Sequence, residues 1–315
     1  MTLNTEILHD NTFDPINWLR KFKAASESKN GLHELRITIF QETVKIVSAG
    51  GYCLNGNEVK INNNNVAKTT DFFDSVQKIS HSPSFEQTSI SVIEADCLET
   101  AELMIHAGYR PCVLNMANRQ NPGGGVLNGA GAQEENLFRR SNIFVSLYQF
   151  APYAQKYGIN KSVKNYPLNR NTGGVYSAEI TVFRASEHNG YCFLKKPFQI
   201  SVVSVPAINR PDLEIIDGKY RIIKSLTEPT REKIRTILRI AGQYRHDCLI
   251  LGAFGCGAFR NPPNHVAELF KEVFCEPEFK NQFRLIVFAI LSDHNSWLAH
   301  NPEGNVLPFL NTFNN

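Results

Sequence analysis

From Thr88 onward, apolar runs of strand length alternate with stretches of helical period, and this alternation constrains the fold more than any other feature. TSISVIEA alternates and is rich in β-branched residues, and LETAELMIHAG then reads as a helix closed by Gly108. Cys112-Val113-Leu114 leads through a glycine-rich loop into QEENLFRRSNIFVSLYQF, which has helical length and an acidic first turn. Three more apolar runs, QISVVSVPA (199–207), DCLILGAF (247–254) and RLIVFAIL (284–291), are separated by the helical stretches TREKIRTILRIAGQY and NHVAELFKEVF. Such a series implies an α/β fold, with a largely parallel or mixed sheet covered by helices on both faces. No internal repeat is visible.

At 315 residues, 42% hydrophobic and 20% charged, the chain can bury a large core and is too apolar to be disordered. Length alone would allow two domains, but the single series of elements favours one α/β core, residues 88–315, behind an N-terminal extension, residues 1–87. Residues 1 to about 30 are polar and read as peripheral, and Asn62 to Asn65 reads as an exposed turn. Between them LHELRITIFQETVKIVSA is expected to be a helix stopped by Gly50 and Gly51.

A formal charge of +3 gives no reason to expect DNA or a membrane as partner, while a modestly basic surface suits an anionic small ligand. No apolar run approaches the length of a membrane span and the first residues have no signal-peptide pattern, so a cytoplasmic protein is expected, with export as an effector left open. Seven scattered cysteines without a CxxC pair support neither a disulfide framework nor a structural zinc site. Reduced, mostly buried thiols, no metal, no cofactor and a monomer are the expectation.

Ligands of such sheets sit beyond the carboxyl ends of strands, which directs attention to two loops. The first, NMANRQNPGGGVLNGAGAQEENLFRRS, has Gly123, Gly124 and Gly125 in a row and Gln133-Glu134-Glu135 at a helix start. Consecutive glycines lose the most backbone entropy on folding, so they mark backbone that passes close to a ligand or adopts positive φ. The second, GAFGCGAFRNPP (252–263), lies between an apolar strand and a helix, and its glycines would let several backbone amides turn toward one anion. It lacks the GK[ST] of a nucleotide-hydrolysing loop, and neither loop fits a dinucleotide-binding GxGxxG, which weakens kinase, ATPase and dehydrogenase readings. As an isolated pattern, the second loop is equally a tight strand-to-helix turn.

Together the two loops resemble the bacterial-type poly(ADP-ribose) glycohydrolases, whose signature is GGG, six to eight residues, then QE(E). Here seven residues separate Gly125 from Gln133. The similarity extends to RRSNIFVSL, GGVYSAEITVFR (173–184), VVSVPAIN (202–209) and VFAILSD (287–293), and so covers roughly residues 32–310; Ala178 stands where relatives typically have Pro. This resemblance implies a macrodomain-like three-layer α/β/α fold with a mixed sheet and a mainly helical N-terminal extension. It implies an enzyme that hydrolyses the ribosyl O-glycosidic linkage of poly(ADP-ribose) from the chain end, or of mono-ADP-ribosylated protein, releasing ADP-ribose.

Within the resemblance, Glu135 takes the place of the catalytic glutamate and Glu134 that of a neighbour that fixes ribose hydroxyls. Chemistry agrees, since cleaving a ribosyl linkage through a cation-like transition state needs a carboxylic acid to protonate the departing oxygen and then activate water. Adjacent residues on a helix point about 100° apart, so the two glutamates cannot flank a sugar and need different roles. Gly252, Phe254, Gly255, Cys256, Gly257 and Ala258 would hold the diphosphate through backbone amides. Gly123, Gly124, Gly125 and Gln133 complete the ADP-ribose site on the other loop.

Several residues keep a second reading. Asn115 and Asn118 match amides that line the ribose site, although for Asn118 loop capping serves equally. Phe259 matches an aromatic that packs on the distal ribose, against a place in the core. Asp96 stands where macrodomains meet adenine, but a helix N-cap explains it equally. Arg139 and Arg140 read as solvated or ion-paired, Tyr176 and Phe183 as walls of a cleft, and Cys256 as structural, since its local motif holds no His. The alternatives are a macrodomain that binds ADP-ribose without cleaving it, which should lack the glutamates, and a nucleotide-sugar or phosphoester hydrolase of the same architecture.

Overall fold

A computed structural model describes residues 13–28, 31–63, 65–80, 83, 85–293 and 295–314. The expectations for residues 1–12 and for Asn64 lie outside these. Two compact units form. One comprises Met1–Thr70, Gln120–Tyr166 and Ser177–Ile200, the other Asp71–Arg119, Pro167–Tyr176 and Ser201–Asn315.

The first unit opens with helices α1 (Pro15–Ser28) and α2 (Leu32–Ala49), followed by a hairpin of β1 (Gly51–Leu54) and β2 (Asn57–Lys60). Helix α2 is the one expected, and Gly50 at φ 80 is its left-handed cap. Helix α1 was not foreseen in so polar a stretch. Its Trp18 is buried with Ile39 and Tyr191, and Phe22, Leu19 and Leu35 pack against that cluster. A few large apolar side chains thus dock a helix whose remaining surface is polar.

Helix α4 (Gln133–Arg140) and α5 (Ile143–Leu147) replace the single helix expected from Gln133 to Phe150. At the break Ser141 is extended, bridges Val182, and donates its hydroxyl to the Leu137 carbonyl at 2.7 Å. Serine's local hydrogen bonding competes here with helix continuation.

The second unit is the βα series itself. Its described elements include β4 (Ser89–Ile93), α3 (Cys97–His106), β5 (Pro111–Met116), the hairpin β8 (Leu213–Ile216) and β9 (Lys219–Ile222), α6 (Lys224–Gln243), β10 (Cys248–Leu251), α7 (Pro263–Phe274), β11 (Leu285–Ala289) and α8 (Val306–Phe313). Helix α6 begins six residues before the expected start and carries Pro229 within it.

With β3 (Thr70–Phe73), β6 (Gly174–Arg184) and β7 (Phe193–Val205), the strands form one seven-stranded sheet in the order β3-β6-β7-β5-β10-β11-β4. From Ser201 of β7 through β5, β10 and β11 to β4 every pairing is parallel. Strands β6 and β7 follow one another as neighbours, and the Ala185 N–H donates to the Cys192 carbonyl at 2.9 Å, closing an antiparallel turn. The sheet is therefore mixed, as expected. The buried runs Cys248–Leu251 and Pro111–Asn115 read as continuous apolar strands because both faces are covered. Strand β6 has two adjacent half-buried residues, Ala178 and Glu179, with Glu179 at φ 57. This irregularity coincides with the Ala for Pro difference, and the Ala178 N–H, which proline would lack, donates to the Thr69 carbonyl at 3.3 Å.

Candidate active site

Three glycines and two glutamates form one structure in the first unit. The Gly123 N–H donates to Glu134 Oε1 at 3.1 Å, and the Gly125 N–H donates to Glu135 Oε1 at 2.8 Å. Alternate amides of the glycine run thus each hold one carboxylate at the start of α4, where the helix dipole also favours negative charge. A Cβ on Gly124, at φ 54, would lie 2.5 Å from Glu135 Oε1 and 3.1 Å from Glu134 Oε2. One on Gly123 would strike the Phe138 ring at 2.6 Å, and one on Gly125 the Ala130 Cβ at 2.8 Å. A side chain at any of the three would force its neighbours to shift.

Both glutamates are buried. Glu135 Oε2 has no hydrogen-bond partner among the described residues, although it is shielded from solvent. An unpartnered buried carboxylate oxygen is costly and rare, and such atoms gather where a protein keeps a group available for chemistry. Gln133 opens α4 and is half-buried.

Arg139 and Arg140, expected to be solvated or ion-paired, are fully buried at 0% and 2% exposure, so the solvated alternative fails. Arg139 donates from Nε to the Tyr191 hydroxyl at 2.7 Å and from Nη1 to the Ala130 carbonyl at 2.8 Å, and Arg140 Nε reaches the Arg184 carbonyl at 3.2 Å. Six of the eight residues of α4 are buried, so the helix has no wet face for them.

Sequence reasoning missed a tyrosine cluster. Tyr148 packs edge-on to Tyr153 at 5.1 Å, tilted on Tyr157 at 4.8 Å and on Phe138 at 5.5 Å. Burial first, then neighbouring phenols and the Glu134 charge, push the Tyr153 hydroxyl up to about 12. Burial first, with neighbouring phenols and the same glutamate, also raises Tyr148 and Tyr166. The signal was present as tyrosines at 148, 153, 157 and 166, but spacing alone does not separate an aromatic core from a site lining.

In the second unit the loop after β10 lies at the carboxyl edge of the parallel strands. A Cβ on Gly252 would meet the Met116 side chain at 3.3 Å, so this loop adjoins the end of β5, which carries Asn115 and, just beyond it, half-buried Asn118. Asn115 is fully buried and donates from Nδ2 to Ser204 Oγ at 3.0 Å. Inside the loop the Cys256 N–H donates to Ala253, Arg260 to Gly257 and Asn261 to Gly255, while Asn261 Nδ2 reaches the carbonyls of Ile208, Gly255 and Phe259. The amides of Phe254, Gly255, Gly257, Ala258 and Phe259 meet no backbone acceptor among the described residues. A turn pinned from one side by an asparagine, with amides unspent on the other, suits an anion.

Side chains in this loop divide. Phe254 is core, packed edge-on to Phe270 at 6.3 Å, and offers only its backbone. Cys256 is fully buried and burial pushes its thiol up, so the structural reading holds, while His300 approaches its carbonyl and not its sulfur. Phe259 is half-buried and Ala258 exposed. Asp96 caps α3, its Oδ1 accepting from the Leu98 and Glu99 amides at 3.0 and 2.9 Å. Tyr176 and Phe183, expected as cleft walls, belong to packed interiors. Tyr176 stacks on Tyr244 at 3.5 Å and donates to Ser201, and Phe183 is fully buried beside Tyr52.

Among the described residues no group of three or more His, Cys, Asp or Glu is placed to hold a metal ion, and no helix is long and apolar enough to cross a membrane. The described cysteines are free thiols.

Residues 40–185 match the family model of the microbial-type PARG catalytic domain. The fold is similar to poly(ADP-ribose) glycohydrolase from Thermomonospora curvata, solved with the inhibitor ADP-HPD, at 29% identity and TM-score 0.69 over 88% of this chain and 99% of that one. It is also similar to poly(ADP-ribose) glycohydrolase from Deinococcus radiodurans in complex with ADP-ribose, at 25% identity and TM-score 0.60 over 81% of this chain and 98% of that one. No curated protein matches the chain by sequence. The resemblance read from the two loops is therefore supported: residues 40–185 match a PARG catalytic domain, the fold is macrodomain-like α/β, and both likenesses support a glycohydrolase enzyme.

Proposed function

We propose, from the match of residues 40–185 to the microbial-type PARG catalytic domain and the glycohydrolase fold around it, that the chain hydrolyses poly(ADP-ribose) from the chain end and releases ADP-ribose. The observation that carries this reading is Glu135, one of whose oxygens is tied to the Gly125 amide while the other, Oε2, is buried with no partner among the described residues. Because Oε1 already accepts a hydrogen bond, Oε2 is the atom to carry a proton. It gives that proton to the glycosidic oxygen as the bond to the anomeric carbon breaks. Water then adds to the ribosyl cation and returns a proton to the same oxygen, so one carboxyl acts as acid and then as base.

Glu134, held by the Gly123 amide, accepts from ribose hydroxyls, and Asn115, oriented by Ser204, lines the ribose with Asn118. The amides of Phe254, Gly255, Gly257, Ala258 and Phe259 bind the diphosphate, whose negative charge favours the developing cation. Asp96, engaged as a cap, is left with its structural role. The protein works as a cytoplasmic monomer without metal or cofactor.

The test is release of ADP-ribose from polymer-modified and from singly modified protein by wild type and Glu135→Ala. Release from polymer by the wild type and its loss in the variant are expected, and equal release by both would remove Glu135 from the mechanism. Singly modified protein left intact would confine the activity to the polymer. The non-catalytic alternative, a macrodomain that only binds ADP-ribose, predicts no release by either. Calorimetry with ADP-ribose, ADP and AMP separates the nucleotide-hydrolase alternative, since indifference to the second ribose would favour it.

A further inference from the structure

Helix α2 lies outside the glycine and glutamate signature, yet it touches the segment between them. His33 and Arg36 stand one turn apart and so share a face. His33 Nδ1 lies 2.9 Å from the Asn128 carbonyl. A Cβ on Gly129, at φ 72, would fall 2.2 Å from the His33 carbonyl oxygen, so the backbones of helix and loop abut. A Cβ on Gly131 would fall 2.5 Å from Arg36 Nη1, so the guanidinium lies directly on that residue.

Arg36 is itself fixed. Its Nε and Nη2 grip the two oxygens of Glu187, each at 2.8 Å, in a fork that leaves the two side chains 11% and 19% exposed. Burial opposes the Glu187 charge, but Arg36, Arg139 and the Tyr191 hydroxyl together hold its carboxyl below the ordinary range. Tyr191 donates to Glu187 at 3.1 Å and accepts from Arg139, which reaches the Ala130 carbonyl from the far side of the loop. Thr43 of α2 closes the circuit, donating to the Arg139 carbonyl at 2.6 Å.

The clamped segment bears on the acid through one residue. The amides of Asn128 and Ala130 both donate to the Gly125 carbonyl, at 2.9 and 3.1 Å, and the Gly125 amide holds Glu135 Oε1.

We infer that α2 is a positioning element for the catalytic acid, with Arg36, braced by Glu187, seating residues 128–131 so that Gly125 stays on Glu135. This rests on the reading of Glu135 given above. Arg36 makes its hydrogen bonds to Glu187 and lies on Gly131, and its charge also acts on Glu135; its positioning role runs through the loop. Lysine would not replace it, because a point charge cannot make the fork.

The experiment compares wild type, Arg36→Ala, Arg36→Lys and Gly131→Ala for kcat on poly(ADP-ribose), ADP-ribose affinity by calorimetry, thermal midpoint, and hydrogen exchange at the Gly123–Gly125 amides. Gly131→Ala displaces the Arg36 head group without deleting it and serves if Arg36→Ala does not fold. A loosened acid should lower kcat by about 10- to 100-fold with ADP-ribose affinity nearly unchanged. Exchange at Gly123–Gly125 should quicken while the core strands stay protected, with Arg36→Lys as impaired as Arg36→Ala. Unchanged kcat and exchange, or losses of kcat, affinity and core protection together, would overturn the inference. An inactive wild type would instead defeat the functional reading, and exchange at Gly125 would still judge the clamp.

Discussion

In the loop before α4 the space beside each consecutive glycine is filled by the protein, with glutamate oxygens at Gly124, a phenyl ring at Gly123 and a methyl at Gly125. In the loop after β10, a Cβ on Gly257 would meet its nearest neighbour at an ordinary 3.5 Å and one on Gly252 at a tight 3.3 Å, while one on Gly255, at φ 75, would strike Ala207 Cβ and Asn261 Nδ2 at 2.6 Å. The first loop spends amides on its own carboxylates, whereas in the second the amides of Phe254, Gly255, Gly257, Ala258 and Phe259 meet no backbone acceptor among the described residues. Glycine richness thus has two physical causes here. One loop excludes side chains so that an acid can be held close, and the other leaves backbone bare for a ligand.

The comparison breaks most visibly at Glu135. Glu135→Ala should lower kcat by about 10²- to 10⁴-fold, with ADP-ribose still bound. Next, Gly124→Ala puts a methyl where the Glu135 oxygen lies and strains a positive φ, so kcat should fall about 100-fold while ADP-ribose affinity changes little. Gly257→Ala should do the reverse, weakening ADP-ribose binding about tenfold by crowding the diphosphate, with kcat at saturation and the thermal midpoint preserved. Equal effects of the two alanines on kcat and affinity would show that the loops do not divide the work.

The smallest effect supplies a stability control. His265, on α7 just after the second loop, accepts the Ile222 amide at its Nδ1, at 2.9 Å. Burial first, then Arg221, depress it to about 4 from 6.5. A histidine held neutral in the fold contributes stability that is complete above the unfolded value and is lost as pH falls from about 6.5 toward 4. Thermal midpoints of His265→Gln should therefore decline less across that window than those of the wild type, and a parallel decline would count against the buried neutral histidine.

The βα series was legible in the sequence because its strands are buried on both faces and its helices have clean periods, as β10 between α6 and α7 illustrates. Glu134, Glu135 and the three glycines were legible because their reason is local, a carboxylate and an amide ten or eleven residues apart. What escaped reading depends on distant partners. Helix α1 needs Tyr191 to bury Trp18, and Arg139 goes inward only because Tyr191 and the Ala130 carbonyl receive it. The break at Ser141 needs Val182 as its bridge. Hydropathy assigns an arginine to water unless such acceptors are known.

The most direct measurement is a crystal structure of the Glu135→Gln variant with ADP-ribose bound, read for the distance from the residue 135 side chain to the oxygen on the anomeric carbon. The account predicts hydrogen-bond contact, about 2.6 to 3.2 Å, from the carboxamide atom that takes the place of Oε2. A ligand bound with that oxygen out of reach of residue 135 would contradict it.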